Sequence, residues 1–385
     1  MSVYQGPYYR YDLGLLEETI QEANKVAERE NIQLKYALKA NQNKEIVGLI
    51  KENNLGIDAV SKEEIAFALE MGWSPSAIVF AGSGKTLVEI DFAIANSIAY
   101  IHCESVEEYQ IIKSIKRNYP NSNTAIALRI NPNLKVGTHQ KISTGEKKHK
   151  FGIAFEEALE IISNDYSISG LHFHVGSQIE DLAYFEDLSL LVRSFIDKLP
   201  EDYSLNYLNL GGGIGIDYNQ PEVNPIPDFS GWMSALRKHL PQDRIKVLTL
   251  EPGRSIVGQC GKLIGQVQYI KNKQTNFAMA ILDVGMTELL RPAMYGAKHA
   301  ISIPPTSSVY KEYMVCGPSC ESSDSFGDDY FLPELNTGDI VTIHSCGAYG
   351  ESMRLSYNLK KRIPSFYVRR KNNTCFKRRD FSLAS

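Results

Sequence analysis

The sequence predicts an α/β protein in two parts: a (β/α)8 TIM-type barrel and a mostly β C-terminal domain. Three observations carry this. Between residues 34 and 254, short β-branched or aromatic runs alternate with amphipathic helical patterns. Eight such runs over roughly 220 residues favour a closed barrel over an open doubly wound sheet. After Arg254 the rhythm stops, and strand-like runs follow with few helices between them.

The first run, 34–39, alternates Leu34, Tyr36 and Leu38 with Lys35 and Ala37, and places Lys39 at its end. The others are 56–60, 77–81, 98–103, 124–130, 168–175, 205–210 and 246–250. Helical patterns cover Lys44–Asn53, Lys62–Met71, Leu87–Asn96, Val106–Asn118, Phe155–Ser163, Leu182–Leu199 and Phe229–Leu240. Polar residues mark their starts, such as Ser61 before Lys62-Glu63-Glu64. Beyond 254, Lys262–Ile270, Phe277–Val284, Ala300–Ile303, Glu312–Val315 and Asp339–Ser345 read as strands, punctuated by Pro304-Pro305 and Pro318. Tyr8–Tyr11 is strand-like and is placed with this domain, giving a barrel of 14–256 and a discontinuous β domain of 1–13 and 257–385. Two stretches read as loops: Asn131–Lys150, whose basic run Lys147-Lys148-His149-Lys150 reads as solvated, and Ser319–Asp329. The basic tail after Pro364 reads as mobile at its end.

A net charge of −4 gives no reason to expect nucleic acid or an anionic membrane as partner. No apolar run approaches the ~18 residues of a membrane span. Met1 to Leu13 lacks the pattern of a secretory signal. The six cysteines are few and scattered, which fits a reducing cytoplasm. Cys316, Cys320, His344 and Cys346 match no strong zinc spacing, so no metal is expected.

Catalytic groups of such barrels come from the C-terminal ends of the strands. Here the unusual residues stand at four such ends. Strand one ends at Lys39. Strand six runs into His172-Phe173-His174-Val175-Gly176-Ser177-Gln178, strand seven into Gly211-Gly212-Gly213-Ile214-Gly215, and strand eight into Glu251-Pro252-Gly253-Arg254. Singly, each has a plain structural reading: a surface lysine, a core histidine, a tight turn, a salt bridge from Glu251 to Arg254 or a lysine. The glycines are no dinucleotide fingerprint, because Ile216 takes the place of its last glycine. Gly82-Ser83-Gly84-Lys85-Thr86 is no P-loop, because Val79 stands where the first glycine is required. Together the four ends offer an amine made nucleophilic by burial, glycines where barrels bind phosphate, a carboxylate and a flat ring. Those are the requirements of pyridoxal 5'-phosphate: a Schiff-base lysine, phosphate contacts, and an acid that keeps the pyridine nitrogen protonated.

Further stretches complete a pattern. In order they are Tyr36-Ala37-Leu38-Lys39-Ala40-Asn41, His174–Gln178, Gly211–Gly213, Glu251–Arg254, Arg291-Pro292 with Tyr295, Cys316–Asp324, Gly347-Ala348-Tyr349 and Tyr357-Asn358. In these the sequence resembles the fold-type III pyridoxal-phosphate decarboxylases, of alanine-racemase-like fold, and among them those acting on meso-diaminopimelate. The resemblance implies that Lys39 carries the cofactor and His174 stacks on its ring. Ser177, the Gly211, Gly212 and Gly213 backbone and Tyr349 would hold its phosphate, and Glu251 its pyridinium nitrogen. Arg254, and Arg291 with Tyr295, would bind a substrate carboxylate, with Arg254 and Tyr349 near cofactor and substrate alike. Cys320 would protonate Cα after CO2 leaves, and Glu321 would hold the distal ammonium group. In this family the last two residues reach the site of the partner subunit, which implies a homodimer. The implied reaction turns meso-2,6-diaminopimelate into L-lysine and CO2, the last step of lysine biosynthesis. Alternatives are decarboxylation of ornithine, arginine or carboxynorspermidine, an amino-acid racemase on the same barrel, and a non-catalytic homologue. Leu38 stands where the family usually has valine, and the sequence after Asn358 departs from the family's usual ending.

Overall fold

Short, mostly apolar runs pair into the barrel. The computed structural model describes residues 4–132, 150–272, 278–304, 307–369 and 374–377. The basic run 147–149, Phe277, Pro305, and Arg370, Lys371, Arg378 and Arg379 of the tail lie outside the described residues. The chain begins with β1 (Tyr8–Asp12) and α1 (Leu13–Arg29). Eight parallel strands follow: β2 (Ile32–Ala37), β3 (Gly56–Ala59), β4 (Ile78–Phe80), β5 (Tyr100–Cys103), β6 (Ala125–Arg129), β7 (Gly170–His172), β8 (Tyr207–Asn209) and β9 (Leu248–Leu250). β2 pairs with both β3 and β9, and this closes the sheet. Inside, Tyr100 and Tyr207 stack at 4.0 Å over Val79 and Ala127. Gly170 makes room for them, since a Cβ there would lie 2.9 Å from both the Ala127 Cβ and the Tyr207 ring.

Helices α2 (Lys44–Glu52), α3 (Lys62–Glu70), α4 (Leu87–Ala95), α5 (Val106–Lys116), α6 (Phe155–Asn164), α7 (Ala183–Ile196) and α8 (Phe229–Arg237) alternate with the strands. Asn43, Ser61, Thr86, Ser105 and Asp228 each accept a backbone N–H of the first turn, a contact worth ~1 kcal/mol. Thr86 and Glu89 form a reciprocal capping box. The P-loop-like stretch is therefore a helix start. The Lys85 ammonium is buried and donates to the carbonyls of Gly82 and His102 and to Glu108. Helix α1 precedes the first helical pattern expected at residue 44; its Leu16, Ile20, Ala23 and Ala27 bury one stripe at helical spacing.

The chain divides into two compact units, one of 20–215 with 228–253, the other of 1–19, 216–227 and 254–385. The second unit is built on a nine-stranded sheet. Its strands are β1, β10 (Gly261–Asn272), β11 (Ala278–Leu282), β12 (Ile301–Ser302), β13 (Tyr310–Cys316), β14 (Ser325–Pro333), β15 (Ile340–Ile343), β16 (Ser365–Arg369) and β17 (Thr374–Lys377). The main order is β14-β13-β11-β10-β1-β16-β17, with β15 also on β10 and β12 on β15. β1 runs antiparallel to β10 and parallel to β16.

The loop Ser319–Asp329 is half strand, because Phe326, Tyr330 and Leu332 of β14 are buried beneath the polar run that disguised them. Within the tail after Pro364, Ser365–Arg369 form β16, in which Tyr367 is buried, and Thr374–Lys377 form β17; the end of the tail lies outside the described residues.

Candidate active site

The barrel unit collects one group of residues. β2 ends at Ala37, and Lys39 sits on a single 3₁₀ turn, Leu38–Ala40, beyond the strand. Its side chain is 42 % exposed, and its Nζ lies 3.6 Å from Oδ2 of Asp58, which is 1 % exposed. The expectation of a buried amine at a strand end is corrected: the turn lifts Lys39 toward solvent, and a carboxylate sets its surroundings. Burial, followed by the Glu251 charge, pushes the Asp58 carboxyl up to about 8, with Lys39 opposing.

Glu251, buried just past β9, has partners other than Arg254 or a lysine. Its Oε1 accepts from Asn209 Nδ2 at 2.6 Å, and its Oε2 lies 3.3 Å from His172 Nε2. Asn209 also donates to the Tyr207 hydroxyl at 2.6 Å and accepts from the Gly211 N–H at 2.8 Å. One amide thus ties the carboxylate to the glycine turn. The Tyr207 hydroxyl also lies 3.1 Å from His102 Nε2, and His102 Nδ1 lies 3.7 Å from Glu251 Oε1. His102 and His172 stack at 4.1 Å, and burial holds both well below the usual imidazole range. His102, His172 and Glu251 form the one cluster of potential metal ligands among the described residues. Cys316, Cys320, His344 and Cys346 form none there.

The glycine turn admits no side chain. Gly211 has φ +68° and Gly213 φ +111°, a region that favours glycine. A Cβ on Gly211 would collide with the His174 ring, one on Gly212 with the Glu251 carbonyl, and one on Gly213 would lie 2.6 Å from the Gly176 carbonyl. His174 Nδ1 accepts the Gly212 N–H at 3.2 Å, and burial holds this imidazole too well below its usual range. Ser177 lies half-buried in the turn after Gly176. A cradle closed to side chains, a buried carboxylate among neutral donors, an imidazole and a half-exposed amine fit pyridoxal phosphate.

The second unit holds two further groups. Arg254 donates from Nη1 to the Tyr218 hydroxyl at 2.6 Å and lies over the Tyr349 ring at 4.9 Å. Arg291 opens a short helix, Arg291–Tyr295, and lies over the Tyr218 ring at 4.7 Å. Tyr295 is within electrostatic range of Arg254. Cys320 and Glu321 are exposed on the turn 317–324. Asp324 folds that turn: its buried carboxylate accepts from Ser319 N–H at 2.7 Å and Met286 N–H at 2.6 Å. Glu321 accepts from the Tyr357 hydroxyl at 2.5 Å.

Asp58, His102, Asn209, Tyr218 and His299 were not singled out in the sequence. A signal existed for three of them: Asp58, His102 and Asn209 are polar residues inside short apolar strands, where alternation turns them into the barrel.

The neutral histidines have a consequence for stability. Burial lowers His102, His172 and His174 well below 6.5, His299 to about 3 and His344 to about 4. Unfolded, each would take up a proton near pH 6.5. The folded state then binds fewer protons, so stability falls as pH drops below 6.5, by at most ~1.4 kcal/mol per pH unit for each group. Asp58, Glu64 and Glu288, whose carboxyls burial raises, act oppositely, but they are three groups against five. The urea midpoint is expected to fall clearly between pH 7 and pH 5; a constant midpoint would contradict this assignment of neutral imidazoles.

Comparison with known proteins agrees with the geometry. Residues 13–258 match the family model described as pyridoxal-dependent decarboxylase, pyridoxal binding domain. The chain is 38% identical over 371 residues to a diaminopimelate decarboxylase of Bacteroides thetaiotaomicron, covering 94% of this chain and 95% of the relative. It is similar to the crystal structure of diaminopimelate decarboxylase from Helicobacter pylori complexed with L-lysine, with TM-score 0.86 and 34% identity over 97% of this chain and 94% of that one. It is also similar to the M. jannaschii enzyme in co-complex with L-lysine, with TM-score 0.85 and 33% identity over 96% and 88% of the two chains.

Proposed function

Because the chain belongs to the pyridoxal-dependent decarboxylases, and within them to the diaminopimelate decarboxylases, we propose that it converts meso-2,6-diaminopimelate into L-lysine and CO2. Bound pyridoxal phosphate supplies an electron sink for the bond that breaks at Cα. Lys39 Nζ would anchor it and give way to the substrate amine. Glu251, oriented by Asn209, His102 and His172, would hold a proton at the pyridine nitrogen. Ser177, the Gly211–Gly213 backbone and Tyr349 would hold the phosphate, and His174 would lie on the ring. Cys320 Sγ would deliver a proton to Cα in place of the departing carboxylate. Glu321 would hold the distal ammonium group. We assign cofactor binding to 14–256, and substrate and partner-site residues to 1–13 and 257–385.

The observation that favours this substrate is the pair of buried guanidiniums sharing Tyr218. Two cations side by side suit a substrate that keeps a second carboxylate, which ornithine and arginine lack. A homodimer in which Cys320 of the partner subunit completes each site accounts for the exposure of that thiol. Among the described residues no helix is long and apolar enough to cross a membrane. We place the enzyme in the cytoplasm, whose reducing conditions suit the free thiols of Cys103, Cys260, Cys316, Cys320 and Cys346.

The test is an assay of the pyridoxal-phosphate-loaded protein with meso-diaminopimelate, scoring lysine and CO2, with ornithine, arginine and carboxynorspermidine as controls. Equimolar lysine and CO2 is the expected result. Faster CO2 release from a control would overturn the substrate, and inversion without CO2 would indicate a racemase. Asp324→Ala is expected to release the turn that carries Cys320 and lower turnover about tenfold or more with the cofactor retained, since misplacing a reacting group is costly. Wild-type turnover in that variant would show that the turn needs no anchor.

A further inference from the structure

Arg291 is 5 % exposed, so its partners matter. Its Nη1 lies 2.9 Å from Nε2 of His299, a fully buried residue eight positions on. The other ring nitrogen, Nδ1, lies 2.8 Å from the carbonyl oxygen of His344. A carbonyl oxygen only accepts, so Nδ1 carries the proton and Nε2 presents a lone pair to the guanidinium. The Tyr218 ring stands edge-on to the imidazole at 4.9 Å, and the Tyr330 hydroxyl donates to the His299 carbonyl at 2.8 Å. Ring and backbone are both fixed. Burial, and then the Arg291 charge, push the imidazole down to about 3, so it stays neutral near physiological pH.

The choice of a neutral acceptor has a physical meaning. A carboxylate in this place would hold the guanidinium but cancel its charge. A side chain without an acceptor would leave a buried N–H unpaired and the guanidinium free to turn. The face of Tyr218 likewise attracts the cation without neutralising it. We propose that His299 is a positioning residue for Arg291, a tautomer-locked neutral acceptor that fixes the guanidinium and keeps its positive charge available to a substrate carboxylate. This rests on the reading of Arg291 as a carboxylate-binding residue.

The test is calorimetric titration of the cofactor-loaded full-length protein with L-lysine, which keeps a carboxylate, and with 1,5-diaminopentane, which has none. His299→Leu is expected to weaken L-lysine binding about tenfold, the scale of one hydrogen bond to a charged group, and to change diaminopentane binding less than about twofold. His299→Gln offers an Oε1 acceptor and should restore most of the L-lysine affinity. His299→Glu sets a carboxylate on Arg291 and should lose at least as much as His299→Leu. The inference is overturned if His299→Leu binds L-lysine like wild type, if both ligands weaken together, or if His299→Gln and His299→Glu bind L-lysine equally. The last contrast decides the matter should His299→Leu not fold. Arg291→Ala separates the two claims. If it leaves L-lysine affinity unchanged, the carboxylate reading of Arg291 fails; if it weakens L-lysine while His299→Leu does not, only the role of His299 falls.

Discussion

Lys39→Ala is expected to yield a folded protein with no measurable turnover and without the visible absorbance band of bound cofactor. Leu38 and Ala40 of its turn are buried, but the Lys39 side chain is itself 42 % exposed, so its removal costs little packing. The competing amine is Lys35, on the strand that leads into the Lys39 turn. Burial lowers its pKa to about 8, which favours a nucleophilic neutral amine. Its position rules it out. Lys35 Nζ donates to the carbonyl of Ala77, just before β4, and Lys35 pairs in register with Gly56, the first residue of β3. It therefore faces the N-terminal end of the barrel, where residues serve stability, while Lys39 stands at the catalytic end. Lys35→Ala should keep the band and lose stability instead. A band that survives in Lys39→Ala would transfer the anchoring role to another lysine.

The second large effect concerns Cys320. Positioned proton transfer is typically worth about 10²–10⁴-fold, so Cys320→Ala should lose that much turnover with the absorbance band intact. Its exposure on a turn of the β unit supports a site shared between two copies of the chain. Mixing inactive Lys39→Ala and Cys320→Ala proteins after reversible dissociation should then restore up to about a quarter of the wild-type rate, since half the dimers are mixed and each has one intact site. Unimpaired turnover in Cys320→Ala would remove it as the acid. A deep loss in both variants with no recovery on mixing would confine each site to one chain and leave the reaction unchanged.

Local pattern carried the barrel. Each of its eight strands overlaps a run with apolar residues at alternate positions, and the strand ends bring Lys39, His174, Gly211–Gly213 and Glu251 into one unit. Where composition masked alternation, the reading failed. Asp328 and Asp329 hid β14, and the arginines of the tail hid β16, although both strands bury aromatic residues. β1 illustrates why pairing was harder than existence: its neighbours begin at residues 261 and 365, and no local signal names them.

The sequence by itself determined the fold class, the chemical inventory at the strand ends and the family, because alternation, glycine placement and residue type are local properties of the chain. Only the tertiary structure decided the partners. It placed Lys39 beside Asp58 rather than in an apolar pocket, turned Glu251 toward Asn209 and two neutral imidazoles rather than toward Arg254, and set His299 against Arg291. Desolvation and hydrogen-bond pairing depend on which groups the closed barrel and the assembled sheet bring within about 4 Å, and residues far apart in the chain meet only there.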